Sequence, residues 1–457
     1  MNVADLVPAL VEILPSHLAR QRWYGAKHRD GVELEVLAAE ELRAPWPAMV
    51  RMVVQASGGR DPDGTDGYRG PSERYQLILG LRPVDDPIGV GESAVVGVIR
   101  SGADDLFVYD ALVDAELSLA LLHHVAPATE AATVRQISAE QSNTSLVFDE
   151  HSIMKVFRRL TGANPEIEVT VALAGTEFNH IAEPLAVWRT SGDDLAIVQR
   201  FLAGGVEGWA LALTSVRDLL SEGVDPAAAG ADLAPEGERL GVVTAELHLA
   251  LADAFGTAPG RAQDWAGAIA ERVRSVRHPE VDPLAVERAL ERLRSLEDVG
   301  SAIRIHGDYH LGQVMRTDEG WFVLDFEGEP ARPVEERRTP TSPLRDVAGM
   351  LRSFAYAAAV GSREHGSQPV DGDPNARPQS VAEVANAWEV HNRDAFLTAY
   401  LARLEGSPLL PADLSSTRAV LAAFELDKAI YEVAYEQAHR PDWVQIPLDA
   451  VRRLTDT

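Results

Sequence analysis

The order of apolar and polar positions divides the chain into three stretches. From residue 1 to about 110, a short helix around Val7–Leu14 is followed by apolar runs between turn residues, which predict strands. From about 133 to 203, further strands enclose one helix, which Asn164 is expected to cap and Pro165 to begin. From about Gly204 the spacing is helical. The pattern predicts an α+β protein with a helical C-terminal part.

The individual elements have approximate predicted bounds. Strands are predicted at Val32–Leu37, Ala48–Gln55, Arg74–Leu81, Ala94–Ile99, Val134–Ile137, Ser145–Phe148, Ser152–Phe157, Pro184–Arg189 and Leu195–Phe201. Helices are predicted at Arg239–Leu251, Trp265–Val273, Pro283–Ser295, Pro343–Ala359, Val381–Leu404 and Ser416–Glu436. The segment Tyr109–Val125 also has a helical pattern, and Gly361–Ser380 has the composition of an exposed loop.

Composition restricts the partners and the compartment. The formal net charge is −28, from 42 basic and 70 acidic residues, which disfavours nucleic acid and anionic membranes as main partners. The chain has no cysteine, so it cannot form disulfides or thiolate metal sites, and a reducing cytoplasm fits. Its first residues lack the basic start of a signal peptide, and no apolar run approaches the ~20 residues of a membrane helix. We expect a soluble, cytoplasmic protein.

The residues best suited to chemistry lie in two short motifs, His306–Gln313 and Val323–Glu327. In kinases an Asp base is followed five residues later by an amide that reaches the metal, and a second metal-binding Asp comes in an Asp-Phe-Gly turn. Asp308, Gln313 and Asp325 have this spacing. We therefore assign Asp308 as the catalytic base or hydroxyl-orienting residue, and Gln313 and Asp325 as ligands for the magnesium ion on ATP. The alternative interpretation is a loop with surface carboxylates.

His310 follows Asp308 by two residues and is assigned to the acceptor side of the site. We expect it to support the loop rather than to take a proton. A histidine metal cluster is not indicated, because no second histidine lies at ligand spacing.

A cation for the ATP phosphates is expected at Lys155, which lies in an otherwise apolar strand. Its alternative role is an edge-strand lysine that faces water. Kinases pair this lysine with a carboxylate on the following helix, for which Glu166 and Glu168 are candidates and Glu168 is preferred. Both could instead be first-turn acids that the helix dipole favours.

Two further segments are expected to contact the nucleotide. Ser142, Asn143 and Thr144 occupy the position of a phosphate-covering loop, although the usual glycine pattern is absent. Gln199 and Phe201 lie where the two kinase lobes would join, and their backbone is expected to bind adenine.

The helix near the C-terminus presents aromatic and acidic residues at helical spacing. Such residues could bind a saccharide, because carboxylates accept hydrogen bonds from sugar hydroxyls and aromatic faces stack on sugar rings. The alternative is a helix with a buried aromatic stripe and a solvated acidic face. The candidate saccharide-binding residues are Tyr431, Glu432, Tyr435, Glu436, Arg440 and Trp443.

These motifs together resemble the actinobacterial maltokinases, relatives of the aminoglycoside phosphotransferases within the protein-kinase-like fold. The resemblance covers nearly the whole chain, and Tyr309 departs from it where leucine is expected. It rests on the motifs at 21–24, 140–145, 154–159, 164–168, 306–313, 325–330, 342–350 and 431–443.

The resemblance implies a protein-kinase-like bilobal fold with three parts: an N-terminal β-rich cap domain (1–110), a small ATP-binding lobe (111–203) and a helical C-terminal lobe with the catalytic loop and sugar site (204–457). It implies the transfer of the ATP γ-phosphate to the anomeric hydroxyl of maltose, for α-glucan (glycogen) synthesis. ATP and Mg²⁺ are the implied cofactors. A monomer or weak homo-oligomer is expected, and a separate trehalose synthase is compatible as a partner.

Two alternatives to the maltokinase hypothesis stay open. A related sugar kinase, such as a glucosamine kinase, would use the same ATP machinery with a smaller acceptor. A non-catalytic kinase-like binding module is disfavoured, because Lys155, Asp308, Gln313 and Asp325 occur together.

Overall fold

The computed structural model describes residues 3–60, 72–86, 88–102, 104–137, 143–190, 192–222, 226–329, 332–366 and 380–456. The chain forms two compact units. Unit 1 consists of Met1–Glu168 and Ala182–Ala203, and unit 2 consists of Val169–Ile181 and Gly204–Thr457.

Unit 1 contains most of the strands. In chain order its elements are α1 (Val3–Leu18), β1 (Asp30–Arg43), β2 (Ala48–Arg60), β3 (Glu73–Pro83), β4 (Val95–Ser101), β5 (Asp104–Asp110), α2 (Ala115–Val125), β6 (Val134–Ile137), β7 (Asn143–Phe148), β8 (Ser152–Phe157), β9 (Arg159–Leu160), the start of α3 (Pro165–Ala174), β10 (Pro184–Thr190) and β11 (Asp193–Arg200).

The first of the two sheets in unit 1 has the strand order β1-β2-β3-β5-β4, with β9 also paired to β3. Helix α1 covers this sheet with a stripe of buried leucines at every fourth position, which places them on one helix face: Leu6, Leu10, Leu14 and Leu18. Burying each leucine contributes about 2 kcal/mol. The helix predicted at Val7–Leu14 is confirmed, and it extends further at both ends.

The second sheet has the order β10-β11-β8-β7-β6 and is joined to the first within unit 1. Strand β9 continues from β8 and pairs with β3, where Tyr75 is opposite Arg159. The buried side chain of Gln76 donates hydrogen bonds to the carbonyl oxygens of Phe157 and Leu195, both at 3.0 Å. A single polar side chain on β3 of the first sheet therefore satisfies backbone carbonyl groups on two strands of the second sheet, β8 and β11.

The predicted start of α3 is confirmed. The Asn164 side-chain oxygen accepts a hydrogen bond of 2.8 Å from the backbone N–H of Glu166, and Pro165 is the first helical residue. This cap directs the first turn of the helix and its acidic residues.

Unit 2 is mostly helical. After the end of α3, its elements are β12 (Val206–Glu207), α4 (Gly208–Glu222), α5 (Ala234–Phe255), β13 (Thr257–Pro259), α6 (Ala262–Ser275), α7 (Pro283–Arg294), β14 (Ser301–Ile303), β15 (Val314–Thr317), β16 (Gly320–Val323), α8 (Val334–Arg337), α9 (Leu344–His365), α10 (Val381–Arg403), α11 (Leu414–His439) and α12 (Gln445–Thr455).

Helix α9 lies at the centre of unit 2, and its residues from Leu344 to Gly361 are nearly all buried. Helices α4, α10 and α11 pack around it. Strands β15 and β16 form a hairpin, in which Val314 is opposite Val323. This hairpin connects the two chemical motifs predicted from the sequence.

Two segments differ from the sequence prediction. The segment predicted as helix from Tyr109 begins as the end of β5, and α2 starts only at Ala115, because the Asp114 side chain caps it. The predicted loop from Gly361 is helical as far as His365, and residues 367–379 lie outside the described residues. A Cβ at Gly361 would lie 2.5 Å from a methyl group of Val216, so glycine allows α4 and α9 to approach closely.

The expected fold class, with a β-rich N-terminal part and a helical C-terminal part, is confirmed. The described helices include none with the length and apolar character needed to span a bilayer. The domain boundaries at residues 110 and 203 stay predictions.

The packing of α5 against α10 generates a test of the core. A Cβ at Gly241 would lie 2.3 Å from the carbonyl oxygen of Phe396 and 3.1 Å from the backbone nitrogen of Tyr400. We expect Gly241→Ala to lower the free energy of unfolding by about 2–3 kcal/mol, because the helices must separate. Urea denaturation followed by circular dichroism measures the change.

Gly267→Ala is the matched control for this substitution. Gly267 lies on the exposed face of α6, and its added Cβ would meet nothing within 4 Å. Alanine should stabilise the protein there by about 0.5–1 kcal/mol through its higher helix propensity. Equal effects at the two positions would contradict the assigned packing.

Candidate active site

The loop from His306 to His310 follows β14 and leads through a short 3₁₀ helix into β15. Strand β16 returns antiparallel, so that Asp325 lies close to Gln313. The Gln313 side-chain nitrogen donates to an Asp325 carboxylate oxygen at 3.4 Å, and the Leu324 backbone N–H donates to the Gln313 carbonyl oxygen at 2.9 Å. The hairpin thus brings together the two side chains that the sequence predicts as metal ligands.

Asp325 has a left-handed backbone conformation, with φ of +56°. Such a value is uncommon for a residue with a side chain, and it costs free energy that the surrounding structure must offset. Strain of this kind is concentrated at functional sites. It turns the chain directly after β16 and directs the Asp325 carboxylate toward Gln313.

A buried carboxylate, Asp346 at the start of α9, holds the loop from behind. Its two oxygens accept hydrogen bonds from the backbone N–H groups of His306, at 2.8 Å, and Gly307, at 2.9 Å. Burial alone would raise the pKa of Asp346, but its hydrogen bond to His248 and the neighbouring groups lower it overall. Asp346 is therefore an ionised group that positions the loop, a role the sequence did not reveal.

His306 connects the loop to the turn after β16. Its Nδ1 accepts from the backbone N–H of Asp308 at 3.3 Å, and its Nε2 lies 2.8 Å from the carbonyl oxygen of Leu324. This arrangement requires the tautomer that carries hydrogen on Nε2. One imidazole ring therefore fixes the backbone of Asp308 relative to the residue before Asp325.

Tyr309 belongs to the core of unit 2. Its side chain is buried, and its hydroxyl lies 2.9 Å from the hydroxyl of Thr244. Its carbonyl oxygen lies 2.6 Å from the position that a Cβ on Gly349 would take. Its departure from the family pattern is thus accommodated inside the protein. His310 is partly exposed, with Nε2 3.9 Å from the Asp308 carboxylate. Removal from water lowers its pKa, and Asp308 opposes that shift.

A residue that sequence reasoning did not single out, Lys428 on α11, lies beside the predicted base. Its ammonium nitrogen is 3.5 Å from a carboxylate oxygen of Asp308 and 5.0 Å from the ring centre of Tyr431. The two charged residues are 120 positions apart in the chain. The only sequence signal that could have indicated Lys428 is that it is the single lysine in the predicted helix Ser416–Glu436.

A cavity of about 480 Å³ opens beside Gly307, the residue before Asp308. This volume falls within the range of small-molecule sites. A smaller adjoining cavity is lined by Lys428 and Tyr431. The two cavities share an ionic and apolar wall that consists of Arg272, Gly307, Glu329, Arg345, Phe424 and Asp427.

The two glutamates predicted to bind the saccharide are largely buried and paired with cations. The Arg352 guanidinium donates two hydrogen bonds, of 2.9 and 2.8 Å, to one oxygen of Glu432. Glu436 accepts from the hydroxyl of Tyr356 at 3.1 Å and from Arg440 at 2.7 and 2.9 Å. The acidic face of α11 is therefore not a solvated one.

The aromatic residues of the predicted saccharide site lie on the more accessible side. Tyr435 is 42% exposed, and its ring stacks with Tyr431 at a centroid distance of 6.3 Å. The Arg440 guanidinium lies 4.6 Å from the ring centre of Trp443. Tyr431 borders the smaller cavity beside Lys428. Among these aromatic residues, Tyr431 is therefore the one placed next to the lysine that contacts Asp308.

The predicted phosphate cation lies in unit 1. Lys155 on β8 places its nitrogen 2.8 Å from an oxygen of Glu166, and both side chains are largely buried. The sequence is compatible with either Glu166 or Glu168 as this partner, and the expected partner was Glu168. Glu166 makes this contact because the Asn164 cap places it in the buried first turn of α3.

The other predicted nucleotide contacts in unit 1 are partly engaged within the protein. Ser142 lies outside the described residues, Asn143 is buried, and the Thr144 hydroxyl accepts from Arg158 at 2.9 Å. The Gln199 side chain donates to the carbonyl oxygen of Ala182 at 3.2 Å. The Phe201 backbone N–H donates to the carbonyl oxygen of His151 at 2.8 Å, and the Phe201 carbonyl oxygen accepts from the backbone N–H of Ala203 at 3.1 Å. Their nucleotide roles stay predictions.

The fold and the loop together define a kinase-like phosphotransferase. Residues 133–368 match the phosphotransferase enzyme family, and the chain belongs to that family. Residues 17–114 match the maltokinase N-terminal cap domain. The family resemblance inferred from the sequence motifs is therefore confirmed.

The chain is also similar to two sugar kinases. A glucosamine kinase of Mycolicibacterium smegmatis (strain ATCC 700084 / mc(2)155) is 30% identical over 342 residues, which cover 70% of this chain and 79% of that protein. A glucosamine kinase of Streptacidiphilus jiangxiensis is 29% identical over 396 residues, covering 80% of each chain.

A solved structure confirms the fold. A glucosamine kinase in complex with glucosamine, ADP and inorganic phosphate has a TM-score of 0.65 and 22% identity, and the match covers 97% of this chain and 98% of that one. The kinase-like fold expected from the sequence is confirmed.

The position of Asp346 generates a stability prediction. In Asp346→Asn, one amide oxygen replaces two acceptors, and the amide NH₂ meets a backbone donor. We expect the free energy of unfolding at pH 7 to fall by about 2 kcal/mol, because a buried N–H loses its partner. Asp318→Asn, in the exposed turn between β15 and β16, is the matched control and should have little effect.

The stabilisation from Asp346 should also depend on pH. Its pKa is lower in the folded protein, so its contribution is present above the unfolded carboxyl pKa and is lost as the pH falls through the folded value. Urea denaturation between pH 7 and acidic pH should show the wild type approaching the stability of Asp346→Asn. A constant difference across this range would contradict the assignment.

Proposed function

We propose that this protein is an ATP-dependent maltokinase, which phosphorylates maltose at the anomeric hydroxyl to give maltose 1-phosphate. The observation that carries the proposal is the combination, in one chain, of a maltokinase N-terminal cap domain over residues 17–114 with a phosphotransferase domain over residues 133–368. The named relatives support a sugar as the acceptor.

Asp308 is proposed as the base. In the reaction, the acceptor oxygen forms a bond to the γ-phosphorus, the bond from that phosphorus to the β,γ-bridging oxygen breaks, and ADP leaves. The hydroxyl proton passes to the Asp308 carboxylate. This side chain is 23% exposed, so an acceptor can reach it, while His306 and Asp346 hold the surrounding backbone. A positioned carboxylate of this kind provides general base catalysis.

Gln313 and Asp325 would hold magnesium. The donors suit this ion, because Mg²⁺ prefers carboxylate and carbonyl oxygens. The amide NH₂ of Gln313 faces the carboxylate of Asp325, and a half-turn of the amide would present its carbonyl oxygen there instead. When bound with ATP, magnesium neutralises charge that develops on the phosphates.

Lys155 is proposed to bind the ATP phosphates. Its pairing with Glu166 at 2.8 Å holds the ammonium group in one orientation, as in kinases in which a strand lysine pairs with a helix glutamate. The chain has a net charge of −28, so an anionic nucleotide needs a local positive charge at its binding site, and Lys155 provides one.

Glucosamine is the second candidate acceptor, favoured by the 30% identity to a glucosamine kinase. A non-catalytic binding module is the third alternative. The presence of Asp308 together with the adjacent pair Gln313 and Asp325 argues against it, since a binding module does not need a base and two adjacent metal ligands. Measurement of ADP release separates all three possibilities.

The base assignment predicts the effect of Asp308→Asn, which removes the proton acceptor and keeps the shape. We expect kcat to fall about 10²–10⁴-fold, with ATP affinity nearly unchanged. Coupled ADP release measures the first quantity, and calorimetric titration with ATP and magnesium measures the second. Near-normal kcat would remove Asp308 from the base role, and a lost thermal unfolding transition would show that folding was affected instead.

The acceptor prediction concerns maltose, glucose, glucosamine and trehalose, each tested with ATP and magnesium. Maltose should give the highest kcat/KM, because the site is proposed to bind a neutral disaccharide at its reducing end. Phosphorus NMR should identify the product as the 1-phosphate. If glucosamine gives the highest value, the chain is a glucosamine kinase, and if no sugar stimulates ADP release, the binding-module alternative gains support.

A further inference from the structure

The chain has few lysines, and they are not evenly distributed. Of its 42 basic residues, three are lysines: Lys27, Lys155 and Lys428. Lys155 pairs with Glu166, and Lys428 lies 3.5 Å from the carboxylate of Asp308. Arginine and lysine differ in that the ammonium group is a compact point charge. One of the three lysines therefore lies beside the proposed base, which suggests a specific function for Lys428.

Lys428 carries a charge within a partly enclosed pocket. Its side chain is one quarter exposed, and the adjoining cavity also contacts Tyr431 and Glu329. Burial lowers the pKa of Lys428, but Asp308, Glu329 and Glu432 outweigh this effect and raise it overall. The ammonium group is thus protonated at neutral pH, next to the residue proposed to receive the acceptor hydroxyl.

The carboxylates around Lys428 are already neutralised by arginines. Glu329 accepts from Arg332 at 2.6 Å and lies 3.4 Å from Arg345. Asp427 accepts from Arg272 at 2.7 Å. Each carboxylate therefore has a cationic partner in place before any substrate enters.

The remaining acids of this region are engaged as well. Glu432 is paired with Arg352 at 2.8 Å, and Asp308 lies beside Lys428. Asp346, which also lines the smaller cavity, accepts from two backbone N–H groups and lies 3.3 Å from His248. Although the chain as a whole is strongly acidic, the acceptor side of the site offers hydrogen-bonding oxygens without excess negative charge. Such a pocket suits a neutral polyol, and it does not attract a cation.

We propose that Lys428 is a specificity-determining residue whose ammonium group, within this neutralised pocket, excludes positively charged amino sugars and selects an uncharged sugar. The inference rests on the proposed function, in that Asp308 receives the acceptor hydroxyl. It extends that function by identifying the charge of the acceptor sugar as the property on which the site discriminates.

Distance makes this exclusion effective. A sugar hydroxyl bound to Asp308 brings the whole ring close to Lys428, since one ring is smaller than the Debye length of about 8 Å at physiological ionic strength. An ammonium substituent on that ring would therefore interact with Lys428 without full screening. A hydroxyl at the same position would instead form ordinary hydrogen bonds. Like charges placed together are a known means of rejecting a wrong partner.

The test compares glucose with glucosamine, which differ in one substituent, a hydroxyl or an ammonium group. For each sugar, kcat/KM is measured by ADP release, and the inhibition constant is measured against the sugar that the wild-type enzyme uses best. We expect the wild type to prefer glucose about 10-fold or more, the scale of a like-charge repulsion near a protein surface. Lys428→Met should reduce this preference by the same factor.

Two matched variants isolate the charge. Lys428→Arg keeps it and should keep the preference for glucose, even where kcat falls. Lys27→Met makes the same chemical change at an exposed position and should resemble the wild type. High salt should weaken the wild-type preference and leave Lys428→Met unchanged, which provides a readout that does not depend on comparing absolute activities.

The outcomes separate this inference from the proposed function. If another neutral sugar replaces maltose as the best acceptor and Lys428→Met still loses discrimination, the proposed function fails and the role of Lys428 stands. If maltose is best but Lys428→Met leaves the glucose-to-glucosamine ratio unchanged, the role of Lys428 is overturned alone. Equal values for the two monosaccharides in the wild type would also overturn it.

Discussion

The geometry of the candidate site depends on one buried carboxylate. Asp346 accepts hydrogen bonds from the consecutive backbone N–H groups of His306 and Gly307 at 2.8 and 2.9 Å. In a low-dielectric interior an unpaired charge of this kind would be very costly, whereas a fully hydrogen-bonded one holds its partners rigidly. Because the loop is held in this way, the position of Asp308 is determined by the core of unit 2 and not by the loop alone.

Charge compensation extends this constraint to the acceptor side. Helix α11 contributes Lys428 to Asp308 and glutamates to arginines on neighbouring helices, as with Glu432 and Arg352. Buried ion pairs contribute little net stability, since desolvation offsets most of their attraction. Their value here is geometric, because each pair holds a polar group of the pocket wall at a fixed place and leaves the wall nearly neutral.

Sequence patterns predicted most of the elements, since periodicity and turn residues act locally. They were less successful where tertiary contacts override local preference. Helix α9 continues through Gly361, although the segment from Gly361 has the composition of a loop. The absence of a side chain at Gly361 allows α9 to pack closely against Val216 of α4. Glu168 was the expected partner of Lys155, but Glu166 makes the contact. The orientation of the first turn of α3, which the Asn164 cap determines, decides which glutamate faces the lysine.

The amino-acid sequence by itself determined the spacing of Asp308, Gln313 and Asp325. One short hairpin connects Gln313 with Asp325, strand pairing brings its two ends together, and Asp308 lies in the loop just before it. The sequence also determined the α+β class through its apolar periodicities. Only the tertiary structure decided that Lys428 would face Asp308, 120 residues away in the chain. Contacts at that separation depend on how whole helices pack, and helix packing reflects the shapes of many side chains at once rather than any local pattern.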